Sequence, residues 1–204
     1  MALYHFSVRH VSRGKGQMVV ASAAYISGQR IYDGYYNKIH DYTSKSGVVF
    51  TEILTPEYVP ERMTDRETLW NEVEHVERNN KAQLAYAFDI ALQSELTLEE
   101  NIRLAKEFCQ EQFVVRGMIV DLAVHEGKSD NEEEPDNPHF HVLAPIRPFT
   151  EEGIWGNKQR REYILDEDGN RVKDAKGKDM FNAVSTTGWN DPELLKAVSY
   201  THLT

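Results

Sequence analysis

The chain has 204 residues, of which 40% are hydrophobic and 27% are charged, and its formal net charge is −10. These values are typical of one globular domain, with or without an appendage, and no stretch is long and apolar enough to predict a membrane span. Cys109 is the only cysteine, which excludes an internal disulfide, and the N-terminus lacks the layout of a signal peptide. We therefore expect a cytoplasmic protein.

Positive charge is concentrated near the N-terminus. Residues 1–50 carry six Lys or Arg against two acids, whereas residues 61–136 carry 8 Lys or Arg against 19 acids. Local fields act over about a Debye length, roughly 8–10 Å, so a basic surface can coexist with an acidic one. The acidic net charge therefore does not exclude a nucleic-acid ligand.

The first two predicted elements are a strand and a helix. Residues 2–10 alternate as a strand, a basic Gly-containing turn follows, and residues 18–30 are typical of a helix that ends near Gly28. Tyr25 lies in this helix among small residues, which leave its phenol accessible to a large substrate. Ordinary packing of a helical tyrosine is the alternative interpretation.

Residues 31–46 are predicted to form a polar loop that contains four tyrosines, and residues 47–54 a short strand. Aromatic residues among basic ones are typical of a surface on which single-stranded bases stack. A packed tyrosine-rich loop explains the same pattern.

Two helices and a strand follow. Thr64 with Glu67, and Thr97 with Glu100, match the capping-box pattern that begins a helix, and residues 83–92 alternate between them as a strand. Asp89 is the one acidic residue on the small-residue face of that strand. Its carboxylate could orient a metal-bound histidine, or it could lie on an exposed sheet surface.

Residues 117–147 are predicted to form two strands joined by an acidic loop. Side chains alternate along a strand, so His139 and His141 share one face of the second strand, and His125 lies at the end of the first with matching parity. Three neutral imidazoles can hold a metal ion and leave coordination positions open. The alternative is an ordinary polar sheet surface.

The pattern weakens after Arg147. Residues 151–161 are polar and include the cluster Lys158, Arg160 and Arg161, residues 166–179 indicate a loop or hairpin, and the chain ends in a stretch that predicts at most the start of a helix.

Several segments together resemble the MobA/MobL family of plasmid-mobilisation relaxases, which belong to the HUH endonucleases. They are YHFSVRHVSRGKG, ASAAYISGQRI, DYTSKSGVV followed by EILTP, LWNEVEHVE, GMIVDLAVHE, NPHFHVLAPIRP and, more weakly, GIWGNKQR. The resemblance implies that Tyr25 attacks DNA and that His125 is the third metal ligand beside His139 and His141. Asp89 stands where relatives often carry Glu, so its catalytic role depends on a side chain that is one methylene shorter.

The resemblance also implies a fold and a domain division. The fold class is α/β, with an antiparallel sheet of about five strands, helices packed on one face and a DNA groove on the other. Residues 1–190 would form the relaxase domain, and residues 191–204 the start of a truncated or non-native C-terminal segment.

The activity that follows is metal-dependent nicking and rejoining of one DNA strand at a plasmid transfer origin, through a 5′-phosphotyrosine. We expect magnesium or manganese as the ion, single-stranded DNA as the partner, accessory relaxosome proteins, and the bacterial cytoplasm as the location. The candidate DNA-binding residues are Arg13, Lys15, Arg30, Lys45, Arg147, Lys158 and Arg160.

Three alternatives stay open. A rolling-circle replication initiator shares this chemistry, and a DNA-binding module could retain the site without using it. A cupin-like metal enzyme also uses H-x-H, but it needs a Glu at the positions that Pro145 and Ile146 occupy here.

Overall fold

A five-stranded antiparallel sheet forms the centre of the computed structural model, which describes residues 5–127, 137–189, 191 and 193. Its strands are β1 (Phe6–Ser12), β4 (Val48–Leu54), β5 (Gln83–Ala91), β6 (Val120–His125) and β7 (His139–Pro145), in the order β1-β5-β7-β6-β4. Strands β2 (Arg30–Asp33) and β3 (Lys38–Asp41) form one hairpin, and β8 (Gln159–Tyr163) pairs with β9 (Phe181–Ser185) in a second. The helices are α1 (Val19–Ser27), α2 (Arg66–Val76) and α3 (Leu98–Gln112).

Two hydrophobic clusters cover the two faces of the sheet, and alternation along β5 shows how. Phe88 packs in the cluster that contains Phe108 of α3, whereas Ala85 and Ala87 belong to the cluster that contains Trp70 of α2 and the buried residues of α1. Successive strand residues point to opposite faces. Helix α3 therefore covers one face, and α1 and α2 cover the other.

The α/β class and the five-stranded antiparallel sheet are as predicted, but the layering differs from the expectation. Helices lie on both faces rather than on one, because the small residues of β5 leave room for α1 and α2. Asp89 has the parity of Ala85 and Ala87. The candidate site that contains Asp89 therefore shares its face with α1 and α2.

Two local predictions were also wrong. Residues 31–46, predicted as a loop, contain the β2–β3 hairpin. Helix α2 is capped by Asp65, whose carboxylate accepts a hydrogen bond from the Thr68 amide at 2.8 Å, and not by Thr64.

Other boundaries follow the sequence signals. Helix α1 ends at Gly28, whose φ of 63° is the left-handed conformation that glycine adopts without strain. Thr97 and Glu100 form the predicted capping box of α3. Strand β5 spans nearly the predicted range.

The segment 191–204 lies outside the described residues apart from 191 and 193, so its predicted origin stays a prediction. Among the described helices, none has both the length and the apolar character needed to cross a bilayer.

Candidate metal centre and nucleophile

Three histidines converge at one end of the sheet. His125 and His139 are paired directly across β6 and β7, and His141 stands opposite Ala123 on the same face. The ring centroids are separated by 5.2, 4.6 and 5.0 Å, and one nitrogen from each ring lies within 4.8 Å of the other two. We call these residues, His125, His139 and His141, the triad.

Hydrogen bonds to oxygen fix the tautomer of each triad ring. His125 Nε2 lies 2.7 Å from the carbonyl oxygen of Ile26, His139 Nδ1 lies 2.8 Å from that of Asn137, and His141 Nδ1 contacts the Asp89 carboxylate. A carbonyl or carboxylate oxygen accepts and does not donate, so each of these ring nitrogens carries a proton. The second nitrogen of each neutral ring then has a lone pair available for a ligand.

The surroundings favour the neutral rings that metal binding requires. Burial lowers the pKa of His125 to about 4, and it also lowers the pKa of His139. Both imidazoles are therefore neutral near pH 7, so neither ring has to lose a proton before a metal binds.

Asp89 is the carboxylate partner of this centre. It is paired with His141 across β5 and β7, and the hydrogen bond from His141 is the main cause that lowers the pKa of Asp89. Ser7 Oγ lies 3.4 Å from its other oxygen. A carboxylate that holds the far nitrogen of a metal-binding histidine is a common second layer of metal sites. The donor set therefore fits a divalent cation with open coordination positions.

Tyr25 is carried by α1, whose last turn contacts His125 through the Ile26 carbonyl. Its side chain is among the exposed aromatic residues, at 50% relative exposure, and its ring meets Tyr42 edge-on with 5.3 Å between centroids. Lys45 Nζ lies 3.7 Å from the centroid of the Tyr25 ring. A cleft of about 310 Å³ opens along Tyr25 and Tyr42, and Arg9 lies at its rim.

The helix that carries Tyr25 also touches the triad. Ile26, the residue after Tyr25, supplies the carbonyl that accepts the His125 proton. The structure therefore brings Tyr25, Asp89 and the triad together.

Arg13 does not lie on a DNA-accessible surface. It is 8% exposed, and its guanidinium donates to the Glu74 carboxylate at 2.6 Å and to the backbone oxygens of Glu74, Glu77 and Asn79. Tyr35 covers it, with the guanidinium carbon 4.3 Å from the ring centroid. The assignment of Arg13 to DNA binding is therefore corrected, because its charge is neutralised inside the fold at the end of α2.

Arg147 and Lys158 are also engaged internally. The Glu77 carboxylate accepts from Arg147 Nε at 2.8 Å and lies 3.0 Å from Lys158 Nζ. Lys158 also donates to the Gln83 carbonyl at the start of β5. We call Glu77, Arg147 and Lys158 the joint, because they connect the sheet to the β8–β9 hairpin.

The remaining candidates are accessible. Lys15 is exposed, Arg30 pairs loosely with Asp41 at 3.7 Å, and Arg160 contacts Glu162 at 2.8 Å with 63% of its side chain exposed. Contact of these residues with DNA stays a prediction. Lys45 lies against Tyr25.

Arg9 also lies at the candidate site, although no pattern in the sequence indicated it. Its Nη1 lies 3.5 Å from Asp89, and the side chain reaches the cleft that contains Tyr25. Alternation placed Arg9 on one face with Ser7, but the pairing of Ser7 with Asp89 was needed to bring it to the site.

Comparison with known proteins gives matches that span most of the chain. The profile of the MobA/MobL family matches residues 17–202. Conjugal transfer protein TraA of Agrobacterium fabrum is 36% identical over 93% of this chain, and the probable mobilization protein MobA of Bifidobacterium longum is 34% identical over 84% of it. A solved structure titled "Molecular Basis of Vancomycin Resistance Transfer in Staphylococcus aureus" has a TM-score of 0.77 and 32% identity, and the match covers 99% of this chain and 93% of that one.

The relatives are much longer than the matched region. The match covers 18% of the Agrobacterium protein and 30% of the Bifidobacterium protein. The chain therefore corresponds to one part of these transfer proteins.

Proposed function

The chain belongs to the MobA/MobL family, and on that premise we propose that it nicks and rejoins one strand of DNA at a plasmid transfer origin with Tyr25 as nucleophile. The observation that carries the proposal is the clustering of one ring nitrogen from each triad histidine within 4.8 Å, next to the helix of Tyr25, whose Ile26 carbonyl accepts the hydrogen bond from His125.

The reaction is a transesterification. The Tyr25 oxygen forms a bond to the scissile phosphorus while the bond from phosphorus to the 3′ oxygen breaks, and the phenol proton is balanced by the proton that the 3′ hydroxyl finally carries. The product is a 5′-phosphotyrosine, which retains the ester bond and allows the reverse reaction to rejoin the strand. No nucleotide triphosphate is consumed.

The triad would hold a divalent cation, with magnesium or manganese as the working ion. Bound there, it supplies Lewis-acid stabilisation of the phosphate oxygens. Asp89 keeps His141 oriented, and the Ile26 and Asn137 carbonyls do the same for the other two rings. The chain's own part is therefore to fix three lone pairs and one phenol in place before DNA arrives.

Single-stranded DNA is the proposed partner. We place its path along the cleft beside Tyr25, where Arg9 adds positive charge. Accessory proteins of the transfer complex and a place in the bacterial cytoplasm complete the proposal.

The proposal is tested by incubating the protein with supercoiled transfer-origin plasmid and Mn²⁺ and resolving products on a denaturing gel. We expect nicked plasmid and a covalent protein–DNA adduct from the unchanged protein, and no adduct from Tyr25→Phe, which lacks one oxygen but should bind DNA nearly as well.

Tyr32→Phe and Tyr35→Phe are matched controls because both rings are exposed, at 45% and 43%. Persistence of the adduct in Tyr25→Phe together with its loss in either control would move the nucleophile to the β2–β3 hairpin. Binding without nicking by the unchanged protein would favour the unused-site alternative.

A further inference from the structure

We infer that Lys45 is a positioning residue for the Tyr25 phenol, an inference that rests on the proposed function of Tyr25. The sequence favoured a DNA phosphate as its ligand, but its contacts within the fold point to the nucleophile. The Lys45 ammonium lies 3.7 Å from the centroid of the Tyr25 ring and donates a hydrogen bond of 3.1 Å to the Tyr25 carbonyl oxygen.

The ring of Tyr25 is held from two directions. Lys45 lies over its face, where the negative quadrupole of the ring attracts a cation, and Tyr42 meets it at an interplanar angle of 88°. The exposed half of the side chain is left facing solvent. A half-exposed aromatic residue on a short helix would otherwise rotate between rotamers, so these two contacts limit where the phenol oxygen lies.

The loop that carries Lys45 is itself fixed. Asp41 accepts hydrogen bonds from the amide and the hydroxyl of Thr43, and the Lys45 amide donates to the Tyr42 carbonyl at 2.9 Å. After Gly47 the chain enters β4, where Val48 is paired with His125. The loop therefore spans the space between the nucleophile and one member of the triad.

This geometry has a kinetic consequence. Misplacing a reacting atom by about 1 Å can reduce a rate by roughly 100-fold without changing the affinity for substrate. A lysine that positions Tyr25 should therefore affect the chemical step, whereas a lysine that binds phosphate should affect DNA affinity and its dependence on salt.

Three variants separate these roles. Lys45→Met keeps a long side chain over the ring but removes the charge and the donor, and Lys45→Arg retains both. Lys106→Met is the matched control: Lys106 Nζ also lies over a ring, 5.6 Å from the Phe50 centroid, but it belongs to α3 on the opposite face of the sheet.

Three measurements are made on each variant, which is first checked for unchanged thermal unfolding. The first is the single-turnover rate of adduct formation at saturating DNA, and the second is DNA affinity at several salt concentrations. The third is the fluorine spectrum of protein labelled with 3-fluorotyrosine, in which the Tyr25 resonance is identified by its disappearance in Tyr25→Phe.

We expect Lys45→Met to slow adduct formation by about 10- to 100-fold, with DNA affinity within about twofold, and to shift or broaden the Tyr25 resonance. Lys45→Arg should recover most of the rate, and Lys106→Met should match the unchanged protein. An unchanged rate at saturating DNA with a reduced salt slope would overturn the inference in favour of a phosphate contact.

The spectrum separates failure of this inference from failure of the proposed function. If the unchanged protein forms no adduct, the proposed function fails, and the Tyr25 resonance alone then decides whether Lys45 positions the ring. An identical resonance in Lys45→Met would overturn the positioning role whether or not the protein nicks DNA.

Discussion

The two ends of strand β5 each gather polar and charged side chains, and they use them differently. At the end that contains Asp89, each of three imidazoles has one ring nitrogen hydrogen-bonded to an oxygen acceptor, and one nitrogen from each ring lies within 4.8 Å of the other two. At the end that contains Gln83, the cations of Arg147 and Lys158 are matched by the carboxylate of Glu77 and by backbone oxygens.

Pairing, and not residue type, distinguishes the candidate site from the structural contact. Each triad ring has one nitrogen hydrogen-bonded to an oxygen and a second nitrogen without such a bond to the described residues, whereas the two cations of the joint share the Glu77 carboxylate and also donate to backbone oxygens. The ion pairs of the joint are largely shielded from solvent, with side-chain exposures of 7% for Glu77, 18% for Arg147 and 22% for Lys158, and they fix the geometry of this end of the sheet. The following predictions test that difference.

The largest effect on metal affinity is expected from removing a histidine of the triad. His139→Ala or His141→Ala should lower Mn²⁺ affinity by more than about 100-fold, since the loss of a direct ligand exceeds that of a second-layer group. Calorimetric titration measures this, with circular dichroism to confirm folding. His75→Ala is the control, because His75 is exposed on α2. If both triad variants bind Mn²⁺ as tightly as the unchanged protein, the ion does not bind at the histidines of β6 and β7.

The second effect concerns the outer layer of the triad. Asp89→Ala removes the acceptor for His141 Nδ1 and should reduce Mn²⁺ affinity by about 10- to 100-fold. Asp89→Asn keeps an oxygen acceptor without the charge, so its effect should be smaller. Equal affinities in the unchanged protein and in Asp89→Ala, by the same titration, would show that His141 is oriented without this carboxylate.

A substitution in the joint should lower the stability of the protein and leave its affinity for metal unchanged. Glu77→Gln leaves the charges of Arg147 and Lys158 without their carboxylate and should lower the free energy of unfolding by about 1–2 kcal/mol. Urea unfolding gives this value, and Mn²⁺ affinity should stay unchanged. Glu107→Gln, which weakens an exposed pair of 4.0 Å with Arg103, should change stability little. A fall in metal affinity in Glu77→Gln would mean that the two ends of β5 are coupled.

The smallest effect is expected from accessible cations that belong to neither cluster. Replacing Lys15 and Arg160 together by Gln should weaken single-stranded DNA binding a few-fold and reduce the slope of log affinity against log salt by about 0.7 for each phosphate that is no longer neutralised. Fluorescence anisotropy over a salt series measures the slope, and Arg103→Gln on α3 is the control. A slope that the double variant leaves unchanged would place the DNA away from both residues.

The sequence allowed prediction of most of the sheet and of the triad. Strict alternation identified β5 and the two histidine strands, and the same period of two placed His125, His139 and His141 on one face. Strands β6 and β7 are consecutive along the chain, and their antiparallel pairing brings the three histidines together. The capping box at Thr97 was likewise a short-range signal.

What escaped prediction depends on contacts between distant residues. Arg13 was expected on the surface because the number of charges in a segment does not show which acidic residues lie nearby in the fold. Its partner Glu74 is 61 positions away along the chain. The strands of the β2–β3 hairpin are only four residues each, too short for alternation to stand out among tyrosines and polar residues. The small residues of β5 did not show by themselves whether solvent or helices would cover them.

The hydrogen bond from His125 to the Ile26 carbonyl has a consequence for engineering this protein. Helix α1 cannot be transferred on its own as the element that carries the Tyr25 phenol, because its last turn also contacts His125 of the candidate metal centre. A graft of the helix into another scaffold would bring Tyr25, but the Ile26 carbonyl would lose the hydrogen bond from His125 unless the end of β6 came with it. Fragment exchange between relatives should therefore move residues 19–28 and 120–125 as one unit.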